Sequence, residues 1–375
     1  MPAALPNSPA ILIAAVSGRS LASAARRAGY RPFVADLFND SDTLALAERA
    51  IILPGNLHHG IDGTLITRKL LELMGGEEPF ALVYGSGFER KPEIVETLGR
   101  TFPLAGNSAR TIEAVKDPLS LSCLCQEIGI AHPEIRLEAP LQPKGWLTKL
   151  AGGAGGSHVR RAGLAPSETA SYFQAFVPGR NLSTLFLAQG AKAHIVGFSR
   201  QWPSPSNASP FRYGGAVRLA RFDRNKRHLV RIWLDHLVQR TGLVGLCSAD
   251  FIDGPEGLHL IEINPRPGAT LDIFDNEDTP LLTQHLRAVR GETIEMPTYR
   301  DAAASAIAYA SHPIPRFPDI QWPSMTADHQ QPGTRLGADD PVCTVFAKAQ
   351  SAAAAEWAVK NRIQELEKHW REDFQ

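Results

Sequence analysis

The chain has no excess of charge of either sign. Lys and Arg number 39 and Asp and Glu also 39, so the formal net charge at neutral pH is zero. Blanket attraction to nucleic acid or to an anionic membrane needs a basic surplus, and this chain has none. Cysteine is scarce: Cys123, Cys125, Cys247 and Cys343 are the only four in 375 residues. Cys123 and Cys125 flank one residue, which suits neither an ordinary bridge nor a CxxC pair. A disulfide framework is therefore excluded, and small buried hydrophobes in a reducing cytoplasm are expected. Long apolar runs are missing too. The early one, residues 10–16, is too short for a membrane span or a secretory core, so a cytoplasmic protein is expected. With 43% hydrophobic and 21% charged residues the composition is that of a folded chain, and the length predicts two to three domains.

What is present alternates between strand and helix. Residues 10–16 read as a strand buried on both faces, 21–28 as a short helix closed by Gly29, and 31–37 as a second strand. A helix is predicted over 62–74, from Ile66, Leu70 and Met74 at helical spacing before Gly75-Gly76, and a strand over 81–84. Such alternation implies a parallel sheet with ligands at the strand C-terminal ends, lined by residues 17–20 and 85–89. Arg19 in the first of these loops is a candidate partner for a substrate carboxylate. The first turn lacks GxGxxG, which disfavours a dinucleotide site. Further on, Asp117 can cap a helix with Pro118 at its first position and Gly129 at its end, holding Lys116 just before the N-terminus.

Two segments carry chemistry. A strand over 146–150 bears Lys149 and feeds Gly152-Gly153-Ala154-Gly155-Gly156-Ser157, whose backbone is free to wrap phosphate oxygens. Taken alone, a linker or hairpin tip would explain these glycines equally well. Residues 249–263 read as a β-hairpin turning at 254–257. Alternation puts Glu262 and Asn264 on one face, within reach of Asp250, and Ile261 and Ile263 on the other. Two carboxylates and an amide oxygen are hard ligands suited to Mg²⁺, and Arg266 adds a guanidinium fork for phosphate or carboxylate. His132, His194 and the pair His58-His59 lack metal-ligand spacing. Residues 201–210 are expected as a loop, 228–240 as an amphipathic helix with Leu229, Ile232, Trp233 and Leu237 on one side, and Val359, Ile363, Leu366 and Trp370 as the packing face of a last helix.

Lys116 before a helix, Lys149 entering a glycine loop, and Asp250 followed by Glu262-Ile263-Asn264-Pro265-Arg266-Pro267 together resemble the ATP-grasp superfamily over most of residues 10–290. The strings at 262–275 and 340–345 resemble a branch of predicted ATP-dependent carboligases related to biotin carboxylase. The resemblance implies an α/β chain, α+β in its central and C-terminal lobes. It would divide into an N-terminal Rossmann-like domain over 1–110, a small grasping lobe over 111–180 and a large lobe over 181–375. It further implies that Lys116 and Lys149 hold ATP phosphates or the adenine edge, and that Gly152, Gly153, Gly155, Gly156 and Ser157 close over the phosphates. Gln174, Phe176 and Val177 would form the adenine hinge, and Asp250, Glu262 and Asn264 would hold Mg²⁺, with Mn²⁺ able to replace it. Arg266 would steady the transferring phosphate, with Arg212 or Arg266 as oxyanion donor. Asn181 and Gln174 stand where glutamate is common in relatives, which weakens a ribose role for Asn181.

The function so implied is a carboxylate–amine ligase. It would form an amide through an acyl-phosphate with release of ADP and phosphate, on an amino-acid-like substrate in coenzyme or small-molecule biosynthesis. Expected partners are a small-molecule acid and amine, with no nucleic acid and no membrane; a homodimer is allowed for. Two other readings stay open: a bicarbonate-using carboxylase, which would need a separate biotin carrier, and a non-catalytic ATP-binding regulator.

Overall fold

The computed structural model describes residues 8–57, 59–163 and 170–371, with only the backbone of Arg371. His58 lies outside the described residues. Three sheets organise the chain. The first is parallel, in the order Arg49–Ile52, Arg31–Asp36, Ala10–Ala14, Ala81–Tyr84. Ala10–Ala14 lies at its centre and is buried throughout, which is why that stretch carries no polar residue. The helices Arg19–Arg27, Ile66–Met74 and Glu93–Gly99 belong to this region. Ile66–Met74 starts later than its apolar spacing suggests. Asp62 spends its carboxylate on the amide and hydroxyl of Thr64, forming a turn before the helix rather than its cap.

Two helices, Ala109–Lys116 and Pro118–Glu127, lead to an antiparallel four-stranded sheet ordered Ile135–Arg136, Ser171–Ala175, Trp146–Leu150, Arg160–Arg161. Asp117 caps the second helix through the Ser120 amide, with Pro118 at its first turn. Lys116 is thus also the last residue of the preceding helix, whose Ser108 cap gave no sequence signal of comparable clarity.

The third sheet has eight antiparallel strands, in the order Gly257–Asn264, Gly245–Gly254, Arg180–Gln189, Lys192–Pro203, Tyr213–Arg218, Ala302–Tyr309, Pro341–Ala349, Thr326–Ala327. The last three extend the same sheet, and the helix Ala352–Arg371 packs across them through Val359, Leu366 and Trp370. Three expectations are corrected here. Residues 201–203 continue a strand rather than open a loop, because their backbones pair with Tyr213–Arg218. The helix Arg224–Thr241 is longer than expected and buries Val230, Trp233, Leu234, Leu237 and Val238, while Leu229 is 38% exposed. Cys125, Cys247 and Cys343 are buried, but Cys123 is exposed. Among the described residues no helix is long and apolar enough to cross a membrane.

Candidate active site

Loops from all three sheets enclose one cavity of about 860 Å³. The parallel sheet contributes Val16, Ser17 and Ser20 after its central strand and Gly85–Gly87 with Glu89 after its last. The small antiparallel sheet contributes Lys149, the loop Gly152, Gly153, Gly155, Gly156 and Ser157, and the segment Gln174, Phe176 and Val177. Asn181, Arg212, Asp250, Glu262, Asn264 and Arg266 come from the large sheet and its connections. Leu147, Val159, Phe176, Ile252 and Ile261 supply an apolar wall, to which a flat heterocycle is suited. Gln174, 2% exposed, and Asn181 lie in the same lining.

The acidic group is built on paired strands. Asp250 stands directly opposite Glu262, and a bulge then shifts the register so that Phe251 faces Leu260. Ile261 is left without a partner and turns into the cavity next to Glu262, while Ile263 stays fully buried. The expected strict alternation therefore fails at Ile261, because the extra residue rotates the strand locally. Asn264 Nδ2 donates to Asp250 Oδ2 at 3.1 Å, and Gln201 Nε2 to Asp250 Oδ1 at 3.4 Å. Lys116 does not line the cavity. Its ammonium reaches the acids from behind, contacting Glu262 and donating to Asn264 Oδ1 at 2.8 Å beside a void of about 30 Å³. Burial and the Glu262 charge push the Asp250 carboxyl up to about 6. Burial opposes ionisation of Glu262 as well, but Lys116 outweighs it and keeps that carboxyl low. Among the described residues no group of three or more His, Cys, Asp or Glu is placed to hold a metal. The oxygen set of Asp250, Glu262 and Asn264, two carboxylates and one amide, nonetheless fits a hard cation that takes its other ligands from water or phosphate.

Four cations of the lining differ in how they are engaged. Lys149 is 7% exposed, and its ammonium takes part in no hydrogen bond or ion pair among the described residues. Burial lowers its pKa, and Glu262 partly restores it. An ammonium so placed lacks only an anion. Arg266 donates from Nε to Glu89 Oε1 at 2.8 Å, both side chains being buried. Arg212 is strapped by Ser204 O at 3.0 Å and Asp339 Oδ1 at 2.9 Å, with Tyr309 stacked 3.6 Å below its guanidinium. Arg19 lines the cavity as well, but its guanidinium is already paired rather than open to the substrate carboxylate expected of it. Asp272 and Asp328 both grip its guanidinium, at 2.6 to 3.0 Å, which ties the N-terminal helix to the large sheet's connections.

The glycine loop is closed onto its neighbours. At Gly152 (φ +67°) a Cβ would lie 2.8 Å from Glu89 O, and at Gly156 (φ +70°) it would collide with Phe211 O. Tyr213 N also donates to Gly155 O at 2.8 Å. Sequence inspection placed Glu89 in the lining loop 85–89 and Gln201 in a loop over 201–210 without giving either a role, and it missed His158, whose imidazole burial drives down to about 4. Each gains its role only from the tertiary approach of distant segments, and no local pattern marks it.

Residues 117–270 match the family model described as ATP-grasp domain. No curated protein matches the sequence. Among solved structures, the chain is similar to an L-amino acid ligase from Bacillus licheniformis (14% identity, 96% of this chain and 98% of that chain, TM-score 0.68). It is likewise similar to the biotin carboxylase domain of Hydrogenobacter thermophilus 2-oxoglutarate carboxylase in complex with MgADP, ADP and bicarbonate (12%, 91% and 86%, TM-score 0.68). A third likeness is to a Rhizobium etli pyruvate carboxylase variant (13%, TM-score 0.67), of which the chain spans 35% while 93% of this chain is covered. Identities this low show a shared fold.

Proposed function

We propose that this chain, which carries an ATP-grasp domain over residues 117–270, is an ATP-dependent carboxylate–amine ligase acting on an amino-acid-like acid in coenzyme or small-molecule biosynthesis. The observation that carries the reading is Lys149, a buried ammonium with no direct partner, facing the Asp250–Glu262 pair across one cavity. A polyphosphate satisfies that ammonium and needs a cation on the opposite side, where the acids stand.

In the reaction, an oxygen of the acid's carboxylate bonds to the γ-phosphorus while the bond to the β,γ-bridging oxygen breaks, releasing ADP and leaving an acyl-phosphate. The amine nitrogen then bonds the acyl carbon, loses a proton, and phosphate departs. Lys149 and the glycine loop backbone hold the phosphates, and the apolar wall with Gln174, Phe176 and Val177 holds the base. Asp250, Glu262 and Asn264 would hold Mg²⁺, which when bound neutralises phosphate charge. Arg266 stabilises the transferring group, and the closed glycine loop excludes water that would hydrolyse the acyl-phosphate. The proposed division is a sheet domain over 1–110, a small lobe over 111–180 and a large lobe over 181–375, with the site where they meet.

The likeness to a biotin carboxylase domain that binds bicarbonate favours one alternative, a bicarbonate-using carboxylase. The test is an ADP-release screen with ATP, Mg²⁺ and pooled acids and amines, with mass spectrometry of the products. Release that depends on both an acid and an amine, and is abolished by Lys149→Ala and by Glu262→Ala, supports the ligase. Release that depends on bicarbonate selects the carboxylase, and AMP with pyrophosphate as products overturns both.

A further inference from the structure

The loop after the last strand of the parallel sheet carries a buried carboxylate that the reaction above does not use. Glu89 is held by its own turn: Oε2 accepts from the amides of Gly87 at 2.7 Å and Phe88 at 3.1 Å. Its other oxygen, Oε1, accepts from Arg266 Nε at 2.8 Å, with side chains 4% and 9% exposed. Burial works against the Glu89 charge, but Arg266 and Lys116 outweigh it and keep the carboxyl below its ordinary range. Arg266 Nη1 has only a long contact of 3.4 Å to Pro267 O, and Nη2 makes no hydrogen bond among the described residues. Glu89 thus fixes one edge of the guanidinium and leaves the other edge unspent at the cavity. The backbone of the same residue faces the glycine loop, since a Cβ on Gly152 would lie 2.8 Å from Glu89 O.

We propose that Glu89 is the positioning residue for Arg266: its carboxylate aims the guanidinium's free edge at the transferring phosphoryl group. The proposal rests on the ligase reading, in which Arg266 meets that group. A planar fork held at one edge by a carboxylate that is itself locked by two amides has little rotational freedom left. Without Glu89 the cation would remain in the cavity but would no longer be directed. A merely structural Glu89 would tie down the loop at 85–89 without regard to Arg266, and the two roles differ in what they couple to.

The test uses full-length protein and isothermal titration calorimetry with two probes, MgADP and the magnesium complex of adenosine β,γ-imidotriphosphate. Wild-type protein that binds neither probe overturns the ligase reading, whatever Glu89 does. Given binding, Arg266→Ala and Glu89→Gln are each expected to weaken the triphosphate analogue about tenfold or more while leaving MgADP within about threefold. The double variant should be no weaker than Arg266→Ala alone. Added guanidinium should restore analogue binding to Arg266→Ala, but not to the double variant, which lacks the carboxylate that would seat it. Glu89→Asp, which keeps the charge but draws the oxygen back, should fall between wild type and Glu89→Gln; it carries the comparison if Glu89→Gln does not fold. Losses that add in the double variant, unchanged analogue binding in Glu89→Gln, or guanidinium rescue that ignores Glu89 would each overturn the proposal.

Discussion

Gly155 and Gly156 offer a matched pair for testing whether the glycine loop must close for function. Both sit in the left-handed region, at φ +67° and +70°. They differ in what a side chain would meet. A Cβ at Gly155 has nothing within 4 Å, whereas one at Gly156 collides with the Phe211 carbonyl oxygen and lies 3.0 Å from its carbon. Alanine at either position costs about 1 kcal/mol in the closed loop for its backbone conformation alone. At Gly156 the obstacle is backbone that cannot swing aside, so the loop must lift, and the 2.8 Å bond from Tyr213 N to Gly155 O is lost. A hydrogen bond of this kind is worth about 0.5–1.5 kcal/mol. The total against the closed state is therefore about 1.5–2.5 kcal/mol for Gly156→Ala, or roughly 10- to 70-fold, against about fivefold for Gly155→Ala. Calorimetric titration with the magnesium complex of adenosine β,γ-imidotriphosphate reads this directly, with the thermal midpoint as the control for folding. Equal losses in the two variants, or none in Gly156→Ala, would show that closure on residues 211–213 does not support phosphate binding.

Three further outcomes are expected. Burial and the Asp328 charge raise the Asp40 carboxyl from 3.8 to about 6, so the folded protein takes up a proton between pH 6 and 4 that the unfolded chain does not. The cost of that carboxylate is full above pH 6 and fades as pH falls toward 4. Asp40→Asn keeps the acceptor that caps Ser41–Leu46, and should stabilise by roughly 1–3 kcal/mol at pH 7.5 but not at pH 4.5 in urea melts. Arg19→Met leaves Asp272 and Asp328 facing each other, and should cost about 2–4 kcal/mol at neutral pH, with partial recovery on acidification. Leu234→Ala should cost about 2–5 kcal/mol and Leu229→Ala under about 0.5 kcal/mol, since the first is fully buried and the second 38% exposed; equal losses would refute the helix orientation.

Local signals proved legible where local physics decides. The strands Ala81–Tyr84 and Trp146–Leu150 occupy the bounds that their apolar runs and flanking turns imply. Asp117 and Pro118 start their helix as capping chemistry requires. The hairpin and its turn were also legible, and the turn fixes Asp253 opposite Leu258 and Phe251 opposite Leu260; continued without interruption it would set Asp250 opposite Ile261. The bulge at Ile261 was not: a register slip depends on packing across the whole sheet, and nothing within the hairpin's own residues marks it. Leu229 fits a helical apolar stripe as well as Leu234 does, and only the position of the neighbouring sheet decides which is buried.

The residue types, their order and the short turns by themselves determined the parallel N-terminal sheet, the glycine loop that follows Lys149 and the hairpin that carries Asp250, Glu262 and Asn264. Only the tertiary structure decided which charges spend themselves on each other. Arg19 is bound by Asp272 and Asp328, Lys116 by Glu262 and Asn264, and Arg266 by Glu89, while the Lys149 ammonium has no hydrogen bond or ion pair among the described residues. A zero net charge says nothing of this. Ion pairing falls off within a few ångströms, and those distances are set by segments separated by more than a hundred residues of chain.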